Sequence, residues 1–358
     1  MDKIHISLGP DSYDIFIANG LTRSAGNLIR DIAPAAKKAA IITEYPVNEL
    51  YGGNLIKSLK DAGIDGRLLV VPAEEKNRTL KVAGSLYSAL VEMNLESNDI
   101  LIALGGRVVG DLTGFTAATY HRGISYFQFP TSVLSQIGSS IGGKITLDIP
   151  AGKSVIGLFY QPKAVFIDPG MVRTLPRRFF RNGMGEAVKL GCVADKELFG
   201  LFEKAASDSD LIQQLPEIIR RCAAIKAHYV EKDPLSRGDR RILDFGHTIG
   251  GAIERRYRYD NEKITHGEAT AIGMYLITKR SEILGLTEAG TAERLKYVLQ
   301  SLSLPIFTEI PREKLLLSMQ QDKKIHGDSI TLTLIRRIGE GFTTEIPLEK
   351  LPEYIRTE

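Results

Sequence analysis

The feature that most constrains the fold is a change of periodicity near residue 175. Before it, short apolar runs recur at 39–43 (AAIIT), 67–71 (RLLVV), 99–104 (DILIAL) and 164–168 (AVFID), with helical patterns between several of them, as at 53–62 and 80–93. Continuous apolar runs of this length read as strands buried on both faces, and their alternation with helices implies a parallel sheet. At the start, Ile4, Ile6 and Leu8 alternate like a half-buried strand, and YDIFIA at 13–18 reads as its hairpin partner. After 175, long 3.6-residue periods dominate, at 211–231, 241–256, 266–284 and 292–302. Only 329–335 and 341–346 read as strands there, a late hairpin. The expectation is an α/β Rossmann-like N-terminal domain over 1–174 and a mainly α-helical domain over 175–358. The active site is expected in the cleft between them, the usual place for a small-molecule site. A chain of 358 residues with 43% hydrophobic content can fill two cores.

Composition excludes several classes. A net charge of +3 with 25% charged residues argues against a dedicated nucleic-acid binder. No apolar run approaches the 18 residues of a membrane span, and the first twenty residues lack the basic and apolar regions of a signal peptide. Cys192 and Cys222 are the only cysteines, with no CxxC pair, which fits a reducing compartment and excludes a disulfide scaffold. The expectation is a soluble cytoplasmic protein.

Three segments carry residues with metal chemistry: GMGEAVK at 183–189 supplies Glu186, FGHTIGGAIE supplies His247 and THGEATAIGM supplies His266. One carboxylate and two imidazoles are a common catalytic zinc set that leaves a fourth position open for substrate. The alternative is that they are unrelated packing, capping and surface residues, since their spacing alone proves nothing. The run at 99–104 leads straight into Gly105-Gly106-Arg107-Val108-Val109-Gly110-Asp111, followed by a helical pattern. Glycines at a strand-to-helix turn let backbone N–H groups approach a pyrophosphate; the alternative is a tight βα turn with no ligand. A second glycine-rich run, SSIGGK at 139–144, and PAGKS at 150–154 place Lys144 and Lys153 near glycines. Arg122, Lys189, Lys226, Arg240 and the pair Lys323-Lys324 are further cations. Each alone reads as a solvated charge. Gathered around a zinc ion, they would hold a multiply anionic substrate such as a phosphorylated sugar acid.

Over nearly its full length the chain resembles the dehydroquinate synthase family of sugar phosphate cyclases. The resemblance rests on GG-R-VVGDLTGF at 105–115, TYHRG at 119–123, SSIGGK at 139–144, AGK at 151–153 and GLFYQPKAVFID at 157–168. It continues through TLP at 174–176, GMGEAVK at 183–189, FGHTIG at 245–250 and HGEA at 266–269. It implies Glu186, His247 and His266 as ligands of zinc, with cobalt as a substitute, and a tightly held NAD. It also implies conversion of 3-deoxy-arabino-heptulosonate 7-phosphate to 3-dehydroquinate and phosphate, by transient oxidation at C5, phosphate elimination, re-reduction, ring opening and an intramolecular aldol closure.

Residue by residue, the resemblance implies nucleotide contacts at Glu75, Arg78, Gly105, Gly106, Arg107, Val108, Val109, Gly110, Asp111, Thr131, Ser132 and Thr174. Lys144 and Lys153 would lie between cofactor and substrate phosphate, and Arg122 would reach the phosphate, across the interface of a homodimer. Lys189, Lys226 and Arg240 would grip the carboxylate and hydroxyls, and Lys323 or Lys324 would close the site. The chain departs from the family pattern at several positions. Arg107 replaces a third glycine, which raises NADP as an alternative to NAD. Glu74-Glu75-Lys76-Asn77-Arg78 stands for a glycine-Glu-x-x-Lys motif. Gly138 stands for Asp, Ser154 for Asn, Ser236 for an acidic residue, Asp244 for Asn and Gly251 for a second His. None is a zinc position. They leave as alternatives a different sugar phosphate substrate or a metal- and NAD-binding relative without activity.

Overall fold

The computed structural model describes residues 1–150, 152–257, 260, 262–322 and 324–355. The chain divides into two units, Met1–Leu175 with Lys226–Leu235, and Pro176–Ile225 with Ser236–Glu358.

The first unit is built on a seven-stranded sheet. In chain order its elements are β1 (Asp2–Ile6), β2 (Tyr13–Ile17), α1 (Ala25–Ile32), β3 (Lys38–Thr43), the one-turn α2 (Tyr45–Val47), α3 (Gly53–Asp61) and β4 (Asp65–Val70). They continue with α4 (Leu80–Glu92), β5 (Ile100–Gly105), α5 (Arg107–Thr119), β6 (Ser125–Pro130), β7 (Lys144–Ile149), β8 (Gly152–Phe159) and β9 (Ala164–Ile167). Strand order is β1-β2-β9-β6-β5-β3-β4, antiparallel only between β1 and β2. Both faces are covered, as the continuous apolar strands require. On β5, Ile100, Ile102 and Leu104 pack in the core beneath α1 and α3. The alternate residues Leu101 and Ala103 pack with Leu86 and Leu90 of α4 and with Val109 and Leu112 of α5. Because β3 leads to β4 on one side and β5 returns on its other side, the carboxyl ends of β3 and β5 form a topological switch point, where open α/β sheets bind ligands.

The second unit is mainly helical, with α6 (Arg177–Ala194), α7 (Lys196–Lys204), most of α8 (Asp208–Lys232), α9 (His247–Arg256), α10 (His266–Ile283), α11 (Thr291–Ser301) and α12 (Arg312–Met319). An antiparallel sheet of β10 (Ile325–His326), β11 (Ser329–Arg337) and β12 (Glu340–Pro347) completes it. Among the described residues no helix is long and apolar enough to cross a membrane.

The structure adds to the sequence reading in two places. The period at 241–256 is not one helix: Asp239–Asp244 is a 3-10 turn, Gly246 is left-handed at φ 79, and α9 starts at His247. The segment that follows the second glycine-rich run is a β-hairpin, β7 and β8, so Lys144 begins one strand and Lys153 stands second in the other.

Candidate metal centre and nucleotide turn

Three helices of the second unit bring Glu186, His247 and His266 together. Glu186 lies within α6, while the two histidines are the first residues of α9 and α10. The surrounding glycines account for the close approach. A Cβ on Gly267 would collide with the Asn182 carbonyl oxygen, and one on Gly273 with that of Gly246. Helix α10 therefore rests directly on the backbone of α6 and on the turn leading into α9. Its first turn is fixed by a capping box between Thr265 and Glu268, and Arg178 holds the Glu268 carboxylate with two bonds of 2.9 Å.

His247 Nε2 lies 3.4 Å and His266 Nε2 3.5 Å from Glu186 Oε1, and one ligand atom from each of the three residues lies within 4.8 Å of the others. A tetrahedral ion with bonds of about 2.0–2.1 Å separates its donors by about 3.3–3.4 Å. Both carboxylate–imidazole separations match that edge, so the residues fit a divalent ion. Behind the rings, His266 Nδ1 meets Glu254 Oε2 at 3.2 Å and His247 Nδ1 meets Asp244 Oδ1 at 3.4 Å. Carboxylates placed in this way hold the proton on Nδ1 and leave Nε2 as the donor atom. The buried Lys189 Nζ lies 2.5 Å from Glu186 Oε2 and 3.0 Å from His247 Nε2. Burial by itself would raise the Glu186 pKa, but Lys189, His247 and His266 together hold it well below the usual carboxylate range. The group is thus ionised and competent to bind a cation. Arg240 is buried in the same unit. Lys324 Nζ pairs with Asp322 at 3.5 Å, and Lys323 lies outside the described residues.

In the first unit the glycine turn joins β5 to α5, with Gly106 as the N-cap. The glycines differ in purpose. A Cβ on Gly105 would sit 2.6 Å from Val109, and one on Gly110 would crowd Gln128 at 3.1 Å, so both serve packing. A Cβ built on Gly106 would meet nothing closer than 3.9 Å, which leaves the floor of the turn open. The first-turn N–H groups of Arg107, Val108 and Val109 have no partner within the helix, as at every helix start. Val109 buries its side chain completely, so it offers only backbone to a ligand. Thr131 N donates to Gly105 O at 3.1 Å, Ser132 Oγ bonds Ser135 Oγ at 2.9 Å, and Thr174 Oγ1 bonds Tyr51 Oη at 3.0 Å.

Glu75, Arg78, Arg107, Asp111 and Lys153 form one charged cluster. The fully buried Arg78 reaches Asp111 at 2.7 Å, Glu75 at 3.0 Å and Asp148 at 3.0 Å. Arg107 lies 3.9 Å from Glu75 and 3.8 Å from Asp111, and Lys153 lies 3.5 Å from Glu75. Burial opposes ionisation of Glu75, yet Arg107, Arg78 and Lys153 bring its pKa down to about 2. Burial likewise lowers the pKa of Lys153. Lys144 is exposed at the start of β7, with no ion pair among the described residues. Arg122 is exposed on a turn in which His121 and Arg122 are both left-handed, at φ 50 and 67. Lys226 Nζ donates to Gly138 O at 2.6 Å.

Sequence reasoning missed Glu44, Asp148, Glu254 and the role of Asp244. Glu44 follows β3 at the switch point and accepts a hydrogen bond from the Gly106 N–H; burial raises its pKa. An acidic residue just past a parallel strand was the available signal. Glu254 stands seven residues after His247, two turns along the same face of α9, but its contact with His266 exists only in three dimensions.

The chain matches the family described as 3-dehydroquinate synthase N-terminal over residues 68–182 and 3-dehydroquinate synthase C-terminal over residues 183–325. It is 44% identical over 357 residues to the 3-dehydroquinate synthase of Clostridium acetobutylicum, covering 99% of each chain. Among solved structures it is similar to 2-deoxy-scyllo-inosose synthase complexed with carbaglucose-6-phosphate, NAD+ and Co2+, with a TM-score of 0.86, 20% identity and 99% of each chain covered. It is also similar to 2-epi-5-epi-valiolone synthase from Streptomyces hygroscopicus with NAD+ and Zn2+ bound, with a TM-score of 0.85, 24% identity and 97% of each chain covered. With full-length relatives at this identity and both family regions in order, the chain belongs to the 3-dehydroquinate synthase family.

Proposed function

We propose that the chain is a working 3-dehydroquinate synthase, a carbon–oxygen lyase that converts 3-deoxy-arabino-heptulosonate 7-phosphate to 3-dehydroquinate and inorganic phosphate. The observation that carries this reading is the Glu186–His247–His266 cluster at tetrahedral separations in a member of this family. Two fold relatives were solved with NAD+ and with Co2+ or Zn2+, which supports the same pairing here, with zinc as the resident ion. When bound, zinc at Glu186, His247 and His266 would supply Lewis acidity toward the C5 hydroxyl, and NAD over the Gly105–Gly106 turn would supply a reversible hydride acceptor with no net change in the nucleotide.

The chain's own residues then have defined tasks. Residues 1–174 hold the nucleotide through the Gly105–Gly106 turn and the first-turn N–H groups of α5, and Glu44 favours NAD by repelling a 2′-phosphate. Residues 175–358 hold metal and substrate. Lys189 places an ammonium beside Glu186 and His247, where it donates to a substrate hydroxyl or carboxylate oxygen; Lys226 and Arg240 add further donors. Lys144 and Lys153 hold the phosphate, which takes the C6 proton as it leaves C7, and Arg122 serves the site of the second subunit in a homodimer. The enzyme acts in the cytoplasm, where the buried thiols of Cys192 and Cys222 stay reduced.

The test is phosphate release by purified protein supplied with Zn2+ and NAD, across the heptulosonate phosphate, other heptulose phosphates and hexose phosphates. Stoichiometric phosphate and a cyclic product from the heptulosonate alone, with no net NADH, is expected. Release only from another sugar phosphate would move the chain to a sister cyclase. No release from any of them, with zinc and NAD bound, would make it an inactive relative.

A further inference from the structure

Gly251 leaves the metal-facing stripe of α9 without a side chain one turn after His247, and the structure shows what takes that space. His247, Gly251 and Arg255 are spaced four residues apart, so they share one face of α9. Side chains on a helix lean toward its N-terminus, which directs Arg255 back over Gly251 and toward His247. The lean is realised here: a Cβ built on Gly251 would have one neighbour within 4 Å, Arg255 Nη1 at 3.5 Å.

The guanidinium is held from its other side. Arg255 Nη2 donates to Ser318 O at 2.8 Å and Nε to Ser318 Oγ at 3.3 Å. Ser318, buried on α12, in turn donates Oγ to Ala252 O at 2.9 Å, so the anchor belongs to the α9–α12 contact itself. Nη1 has no partner among the described residues. A half-buried, pre-anchored guanidinium with two unused N–H groups is a ready anion site. Its neighbour on the same helix, Glu254, is the carboxylate behind His266. Four residues of helix rise by about 6 Å, so an anion bridging the Gly251 position lies within one small sugar of a hydroxyl held at the His247 end.

We propose that Arg255 is a phosphoryl-binding residue of the metal-side unit, donating Nη1–H bonds to the substrate phosphate across the surface of Gly251. The inference rests on the sugar-phosphate reading above. It assigns to Arg255 the space that a histidine at 251 would fill, by a side chain four residues later. An imidazole at 251 would stand beside Nη1, which lies 3.5 Å from the Cβ position, and would compete with it for the same anion. Gly251→His alone therefore brings no gain in affinity.

The experiment is calorimetric titration of the zinc- and NAD-loaded protein, as wild type, Arg255→Ala, Arg255→Ala with Gly251→His, and Gly251→His. The probes are a C7 phosphonate analogue of the heptulosonate 7-phosphate, which cannot release phosphate and stands in for the phosphorylated acid, the same sugar acid without its phosphate, and inorganic phosphate. Arg255→Ala should weaken the phosphorylated acid and inorganic phosphate by about ten- to a hundredfold, the loss of one charge-assisted contact. It should leave the affinity for the unphosphorylated acid and the zinc content unchanged, with a modest fall in melting temperature from the lost Ser318 bonds, and adding Gly251→His should recover part of the phosphate affinity. Equal weakening of both sugar acids, or no weakening, would overturn the assignment. A wild type that binds the phosphonate but releases no phosphate from the heptulosonate 7-phosphate would remove the reaction, while the Arg255 comparison would still decide this inference. A wild type that binds no phosphorylated ligand would overturn both.

Discussion

Replacing Arg78 by alanine should destabilise the first unit severely and in a pH-dependent way. The Arg78 side chain is fully buried and bonds Asp111 at 2.7 Å, Thr146 Oγ1 at 2.6 Å, Asp148 at 3.0 Å and Ser154 Oγ at 3.3 Å, with Glu75 at 3.0 Å. It ties α5 to the β7–β8 hairpin that carries Lys144 and Lys153. Removing it leaves Asp111 and Asp148 as buried carboxylates that have lost a shared cation, a change that costs about 3–5 kcal/mol. For a unit of this size that is a fall in melting temperature of about 6–20 °C. The sign with pH follows from Asp111. Burial already pushes its pKa up against the pull of Arg107 and Arg78, and the variant lets it rise further. A carboxyl with a raised folded pKa adds stability at low pH that is lost as pH rises through that value. The deficit should therefore be smaller at pH 5 than at pH 8. Glu75 works in the opposite sense: with a folded pKa of about 2 it stabilises above its ordinary range near pH 4.5 and loses that contribution as pH falls toward 2. Thermal unfolding by calorimetry at pH 5 and 8 reads the first effect. A variant melting within about 2 °C of wild type, or equally destabilised at both pH values, would refute the reasoning.

Three further outcomes are expected. Glu254→Gln removes the carboxylate behind His266 and should lower zinc affinity by about ten- to a hundredfold in chelator competition, with the fold intact by circular dichroism. Gly267→Ala forces a methyl group against the Asn182 carbonyl where α10 meets α6, which should cost about 1–3 kcal/mol in denaturant unfolding and weaken zinc binding with it. Glu44→Ala removes the charge beside the Gly106 N–H at the switch point and should narrow the preference for NAD over NADP, read as the ratio of their dissociation constants.

The parallel sheet and the helical half were legible because their signals are local. Strands such as β3 and β5 are unbroken apolar runs, and α10 and α11 keep a clean helical period. β6 escaped notice because Gln128 interrupts its apolar run, although that side chain is buried against Gly110 of α5. The β7–β8 hairpin was hidden by the glycines and lysines around it, the lysines reading as cations suited to an anionic substrate. Helix α9 was extended too far upstream because the apolar period continues through Gly246, whose left-handed backbone breaks it. At the candidate metal centre the two histidines and Glu186 stood out through their motifs. Glu254 and Arg255 did not, because each acts through a contact made only when helices pack, and Asp244 stood out only as a departure from the family pattern, not as the carboxylate behind His247.

The most direct test of the account is anomalous diffraction at the zinc edge from crystals of the zinc-loaded protein. It predicts one strong peak about 2.0–2.2 Å from Glu186 Oε1, His247 Nε2 and His266 Nε2. A peak elsewhere, or full zinc content with none at these three atoms, would contradict it.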